Sequence, residues 1–213
     1  MGDQMNKTNM PLTSQDTLRD VVGEPMELAI TKELTRLDPL CRKFIAMSPF
    51  LCIGTAGTDG SGDVSPRGDP PGFVQVLDDE TIVIPERPGN RRADTLCNII
   101  DNANVGLLFF VPGLEETLRI NGRAEVMRDS EILETMMVNG KIPKLAIIVK
   151  VDQAFLHCAK ALRRSKLWDS SQFQQKTAFP SIGRAILQQT KTADISGEEI
   201  DELVEEDYRN NMY

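Results

Sequence analysis

The chain is short of the residues that most catalytic and metal sites need. It has one histidine, His157, and one tryptophan, Trp168, in 213 residues. Its four cysteines, Cys41, Cys52, Cys97 and Cys158, make no C-x-x-C pair. The ligand supply for a structural zinc site is therefore missing, no metal site is expected, and no catalytic triad is recognisable. Three of the four cysteines stand in apolar surroundings, where buried free thiols are the usual case. No N-terminal stretch has the apolar region of a signal peptide, and no apolar run approaches transmembrane length. These absences predict a cytoplasmic, reduced protein. Internal repeats and low-complexity linkers are also lacking. The expected organisation is a flexible N-terminus over residues 1–15 and a single domain over residues 16–213.

Hydrophobic residues make up 40% of the chain and charged residues 26%, ordinary values for a globular protein with one sizeable core. A net charge of -8 argues against a general nucleic-acid or membrane-surface binder. The positive charge is clustered, however. Arg87, Arg91 and Arg92 form one group, and Lys160, Arg163, Arg164 and Lys166 form another. A local basic pocket in an acidic protein suits a small anionic ligand better than a polyanion, whose phosphates need an extended basic face.

Residues 16–47 carry helical periodicity, which Pro25 and Pro39 divide into two or three short helices. From Phe50 the pattern changes to strands, expected over 50–56, 63–65, 72–76, 82–84, 105–111, 117–126 and 145–151. Helices are expected over 91–102 and 129–138, with a capped acidic helix over 196–210. About six strands at short spacing, with few helices between them, predict a mainly β protein with flanking helices built on an antiparallel barrel.

The segment Arg87-Pro88-Gly89-Asn90-Arg91-Arg92 lies between a strand and a helix. Free backbone N–H groups and the positive end of a helix dipole favour an anion there, and arginine adds planar donors that match phosphate oxygens. With Asn90 as cap, Arg91 and Arg92 would fall in the first helical turn, an electrostatic conflict that a bound anion would relieve. A solvated basic turn is the alternative reading.

Four segments in this order resemble the pyridoxamine 5'-phosphate oxidase-related FMN-binding proteins. They are Ser65 to Val74, Arg87 to Thr95, Asn98 to Phe109, and Arg119 to Ala124. His157-Cys158-Ala159-Lys160-Ala161-Leu162-Arg163-Arg164-Ser165 adds a likeness to a mostly uncharacterised bacterial branch. The resemblance implies a six-stranded antiparallel split β-barrel, a homodimer, and FMN at the subunit interface. It implies that Arg91 and Arg92 grip the phosphate beside Asn90, and that Ser65, Pro66 and Arg67 run beside the isoalloxazine ring. The Gly68 backbone would approach the ring's polar edge, and the Arg67 charge would raise the flavin potential. Arg87 joins the basic group. Lys160, Arg163, Arg164 and Trp168 fall where later segments reach the partner subunit's flavin. His157 and Trp168 each keep a structural alternative, as core residues. The chain departs from true pyridoxamine-phosphate oxidases at Arg67-Gly68-Asp69-Pro70-Pro71-Gly72-Phe73-Val74, which has two prolines and no lysine. Vitamin B6 oxidation is therefore not expected, whereas FMN binding is.

The resulting expectation is an FMN-dependent oxidoreductase with an unknown small-molecule acceptor and no assignable catalytic side chain. Alternatives are a non-catalytic FMN-binding, storage or sensor protein, a split barrel using F420, and an interaction module whose basic clusters are bridged to the acidic C-terminal helix.

Overall fold

The computed structural model describes residues 11–191 and 195–213. Residues 1–10 of the expected flexible N-terminus lie outside the described residues. The chain separates into two compact units, which divide between Glu33 and Leu34. In the first unit, α1 (Gln15–Val22) is capped by the Ser14 hydroxyl, which accepts from the Thr17 N–H at 3.2 Å. α2 (Glu27–Thr31) follows Pro25, as the proline-divided pattern predicts. Neither helix buries a residue.

The second unit, Leu34–Tyr213, is organised on one antiparallel sheet. Its strands are β1 (Phe50–Ala56), β2 (Gly62–Gly68), β3 (Gln75–Val76), β4 (Thr81–Glu86), β5 (Asn104–Phe110), β6 (Thr117–Met127) and β7 (Leu145–His157). They lie in the order β2-β1-β5-β6-β7-β4-β3. This is the mainly β, split-barrel architecture expected, with flanking helices. It has seven strands where the resemblance implies six; β3 covers two residues of the expected 72–76 span and pairs with β4 through Gln75↔Val83 and Val76↔Ile82. The sheet does not close, so β2 and β3 remain its two ends.

Alternating burial explains most of the sheet. β1 buries Leu51, Ile53 and Thr55, and β5 buries Val105, Leu107 and Phe109. A strand presents every second side chain to one face, so Leu51, Ile53, Val105, Leu107 and Phe109 share one core with Leu118, Ile120 and Ile147. β4 is apolar on both faces for a physical reason. Ile82 and Ile84 enter the main core, while Val83 packs with Leu133, Met136 and Ala146 beneath α5 (Ser130–Thr135). Burial on both sides holds the end of β4 firmly, and that end delivers Glu86 and Arg87 to the site described below.

β7 runs six residues past the expected end at Val151, to His157. The polar pair Asp152-Gln153 interrupts its apolar pattern, but β6 carries the pairing through a bulge at Asn121/Gly122. Gly122 is required there, because an added Cβ would collide with the Lys150 carbonyl. The longer strand also places Phe155 and His157 in the sheet, with ring centroids 5.0 Å apart.

α3 (Pro39–Met47) starts at Asp38, whose carboxylate accepts from the Cys41 N–H at 2.7 Å, and Pro39 opens its first turn. It buries Cys41, Phe44 and Ile45. The expected helix over 91–102 is α4 (Asp94–Asp101), which begins three residues late. α6 (Lys160–Ser165) and α7 (Ile182–Thr190) follow the sheet, and α8 (Gly197–Asn211) opens on a Ser196–Glu199 capping box. The cysteines depart from expectation. Cys41 alone is buried, Cys52 is intermediate, and Cys97 and Cys158 are exposed. Cys97 occupies the outer face of amphipathic α4, and Cys158 lies just beyond β7, so their apolar neighbours in sequence do not enclose them. Among the described residues no helix is long and apolar enough to cross a membrane.

Candidate functional site

A cleft of about 450 Å³ lies between edge strand β2 and the loop from β4 to α4. Ser65, Pro66, Arg67 and Gly68 line it from β2; Arg87, Asn90 and Arg92 line it from the loop. Seven of the residues singled out in the sequence therefore converge, although about 20 positions separate the two groups. Arg91 is exposed in the same loop without lining the cleft. Lys160, Arg163, Arg164 and Trp168 lie outside it. Arg163 instead meets Glu115 at 2.6 Å across an exposed surface, and the half-buried Trp168 donates its indole N–H to the Leu114 carbonyl at 2.7 Å. His157 ends β7 and does not line the cleft.

The basic turn differs from its sequence reading. Asn90 does not cap α4; its side-chain oxygen accepts from the Arg92 N–H at 3.1 Å, an Asx turn within the loop. Arg91 and Ala93 both adopt positive φ, 64° and 59°. For residues with a Cβ this conformation costs about 1–2 kcal/mol each. The helix then opens on Asp94, which suits its dipole, so the conflict expected from arginines in the first turn does not arise. Arg92 meets Asp94 at 2.8 Å with both side chains largely in solvent, and among the described residues Arg91 forms no ion pair. The loop thus presents one exposed guanidinium group to the cleft, that of Arg92, with a second, Arg91, beside it.

α4 is tied to the sheet by side-chain bonds. Thr95 Oγ1 donates to Asp63 Oδ2 at 3.1 Å, Asn98 Nδ2 donates to Thr55 Oγ1 at 3.0 Å, and Asn102 Nδ2 donates to the Ala56 carbonyl at 3.1 Å. These bonds hold the basic loop over β2.

Two ion pairs brace the cleft walls. Arg87 Nε donates to Asp69 Oδ2 at 2.6 Å, and its Nη2 donates to the Met136 carbonyl at 2.9 Å. Asp69 also accepts from the Tyr213 hydroxyl at 2.7 Å, and that bond raises the phenol's pKa above its ordinary value. Arg87 Cζ stands 5.4 Å from the Tyr213 ring centroid. Arg87 is therefore committed to joining the end of β4 to the segment after β2. Arg67 pairs with Glu86, its Nε and Nη2 each 3.1 Å from Oε2, and its Nη1 donates to Ser65 Oγ at 2.6 Å and to the Pro66 carbonyl at 2.9 Å. The charge expected of Arg67 is thus offset by a carboxylate that the sequence motifs did not single out. Its signal was its place as the last residue of the doubly buried β4.

Burial pushes the Glu86 carboxyl above its ordinary value, and the Arg67 guanidinium only partly opposes the shift. A raised folded-state pKa means that the folded chain binds this proton more tightly than the unfolded one. The associated stability is present at low pH and declines as the pH rises from the ordinary carboxylate range through the folded pKa. Glu86→Gln is expected to remove that decline, as urea unfolding at acidic and neutral pH would show. An unchanged pH slope in the variant would refute the assignment.

Solved structures with a likeness to this chain include HupZ of Group A Streptococcus, 19% identical, covering 56% of this chain and 93% of its own, at a TM-score of 0.47. General stress protein 26 of Bacillus anthracis is 14% identical over 54% of this chain and 92% of its own, at 0.41. The FAD binding protein of Mycobacterium smegmatis is 18% identical over 58% and 97%, at 0.41. No curated protein matches the chain. The family model for pyridoxamine 5'-phosphate oxidase matches residues 37–158, a span that contains every strand of the sheet and both walls of the cleft. With more than half of its length matched in this way, the chain belongs to the pyridoxamine 5'-phosphate oxidase family.

Proposed function

We propose that the protein binds FMN in the cleft between β2 and the β4–α4 loop and serves as an oxidoreductase for a small molecule. The observation that carries this reading is the meeting of Ser65, Pro66, Arg67, Gly68, Asn90 and Arg92 around one cleft, with Arg91 beside it. The donor set fits the cofactor. Two exposed guanidinium groups suit a dianionic phosphate, and the uncharged β2 positions Ser65, Pro66 and Gly68 suit a flat, neutral, hydrogen-bonding body. Arg91 and Arg92 would hold the phosphate, Asn90 would shape the loop, and β2 would line the ring. Bound there, FMN would supply two-electron transfer, so the chain itself need only bind, orient and shield it. That agrees with a cleft containing neither histidine nor cysteine. The stretch Arg67 to Val74, with two prolines and no lysine, argues against vitamin B6 oxidation.

The working unit in this reading is a homodimer with FMN at the interface. β2 is an edge strand, and Val64 on it is 72% exposed beside the cleft, an apolar surface that a second copy would cover. Lys160, Arg163, Arg164 and Trp168, displaced from their own cleft, would then serve the partner's. Sedimentation of the flavin-loaded protein is expected to give a dimer; a fully loaded monomer would sink this part of the reading.

The direct test is the visible spectrum of the purified protein, followed by mass identification of what denaturation releases. A flavin spectrum with released FMN is expected. A colourless protein that also fails to take up added FMN would refute the proposal. A donor panel separates an oxidoreductase from a flavin-binding protein without turnover.

A further inference from the structure

The arginines around the cleft are not electrically equivalent. Arg67 and Glu86 meet at 3.1 Å with side chains only 13% and 25% exposed. Arg87 and Asp69 meet at 2.6 Å with side chains 15% and 1% exposed. Counter-charges so placed are weakly screened by salt and water, so both guanidinium groups are neutralised in place. Arg92 is 72% exposed in its pair with Asp94, a contact that solvent weakens, and Arg91 has no ion pair among the described residues. The less compensated positive charge therefore stands at the loop end of the cleft, at Arg91 and Arg92, and not along β2. Asp63, on the β2 wall, adds a carboxylate already engaged by Thr95.

Resting on the flavin reading above, we propose that Glu86 is a specificity-determining residue: by neutralising Arg67 it makes the cleft select a ligand with one anionic end and an uncharged body, and so favours oxidised FMN over its anionic reduced form. An unpaired guanidinium on β2 would attract a second negative charge on the ligand's body, and the Glu86 carboxylate cancels that attraction. By linkage, tighter binding of the oxidised form lowers the potential of the bound flavin. The reduced flavin is then a stronger reductant than it would be beside an unpaired Arg67.

The test measures affinities for oxidised FMN and, anaerobically, for dithionite-reduced FMN at mildly alkaline pH, by equilibrium dialysis with flavin absorbance. Glu86→Gln keeps the size and an acceptor for Arg67 but removes the charge. Its preference for reduced over oxidised FMN is expected to rise roughly ten-fold relative to the native chain. The Arg67→Gln/Glu86→Gln double variant should return close to the native ratio. Arg67→Gln alone should move the ratio the other way, which decides the matter if Glu86→Gln does not fold. An unchanged ratio in folded single variants that still bind oxidised FMN overturns the role of Glu86 and leaves the flavin reading standing. Failure of the native chain to bind either form overturns both.

Discussion

Replacing Arg91 and Arg92 together by alanine is expected to strip FMN from the protein while leaving the fold intact. Each charge-assisted phosphate contact is worth about 1.5–3 kcal/mol, so losing two weakens binding by roughly two to four orders of magnitude. The folded state should hardly notice. Both side chains are exposed, and the contact they give up, Arg92 with Asp94, lies in solvent, where such pairs contribute little. The measurement is FMN titration of the native and double-variant proteins, with riboflavin as control. Riboflavin lacks the phosphate, so its affinity should be the same in both. Full FMN occupancy in the double variant would show that the phosphate lies elsewhere.

The second large effect is expected at Asp69, where substitution should act on the fold itself. The Asp69 side chain is 1% exposed and accepts from both Arg87 and Tyr213. Asp69→Ala leaves the Arg87 guanidinium, itself only 15% exposed, without its counter-charge. Breaking a buried pair from one side costs about 3–5 kcal/mol, because an uncompensated charge stays behind. Urea unfolding should show a loss in that range. FMN affinity should fall as well, since the pair joins the segment after β2 to the end of β4, the two walls of the cleft. Asp69→Asn, which keeps the shape and an acceptor oxygen, should lose less. A stability change below about 1 kcal/mol for Asp69→Ala would mean that the pair contributes little, as exposed pairs do.

Much of the sheet was legible in adjacent residues. β6 alternates, and β1 and β5 are short apolar runs that each bury one face against a single core. β3 forms over only two residues of the expected 72–76 span, and the far half of β7 was not legible in the same way. Two residues carry no period, and Asp152-Gln153 breaks an apolar run that only the pairing with β6 sustains. The start of α4 was misplaced because Asn90 has the chemistry of a cap, whereas the backbone spends it on a turn and begins the helix at Asp94. The cysteines were misjudged because apolar neighbours along the chain do not enclose a residue on the outer face of a helix.

The acidic C-terminal helix offers a similar lesson. Among the described residues its carboxylates make one ion pair, Glu198 with Arg184 at 2.8 Å, whereas Arg163 pairs with Glu115 and Arg92 with Asp94. The basic clusters take partners close to them in space, and composition alone cannot state which those are.

By itself the sequence determined the antiparallel, mainly β architecture and the two segments that carry the candidate site. Alternation and turn chemistry are local properties, written in adjacent residues. Only the tertiary structure decided which arginines remain available to an anion. Arg67 and Arg87 are committed to Glu86 and Asp69, residues 19 and 18 positions away, while Arg91 and Arg92 stay at the surface. A guanidinium's effective charge depends on the carboxylate that folding brings beside it and on the water that folding removes, and neither is a property of any one segment.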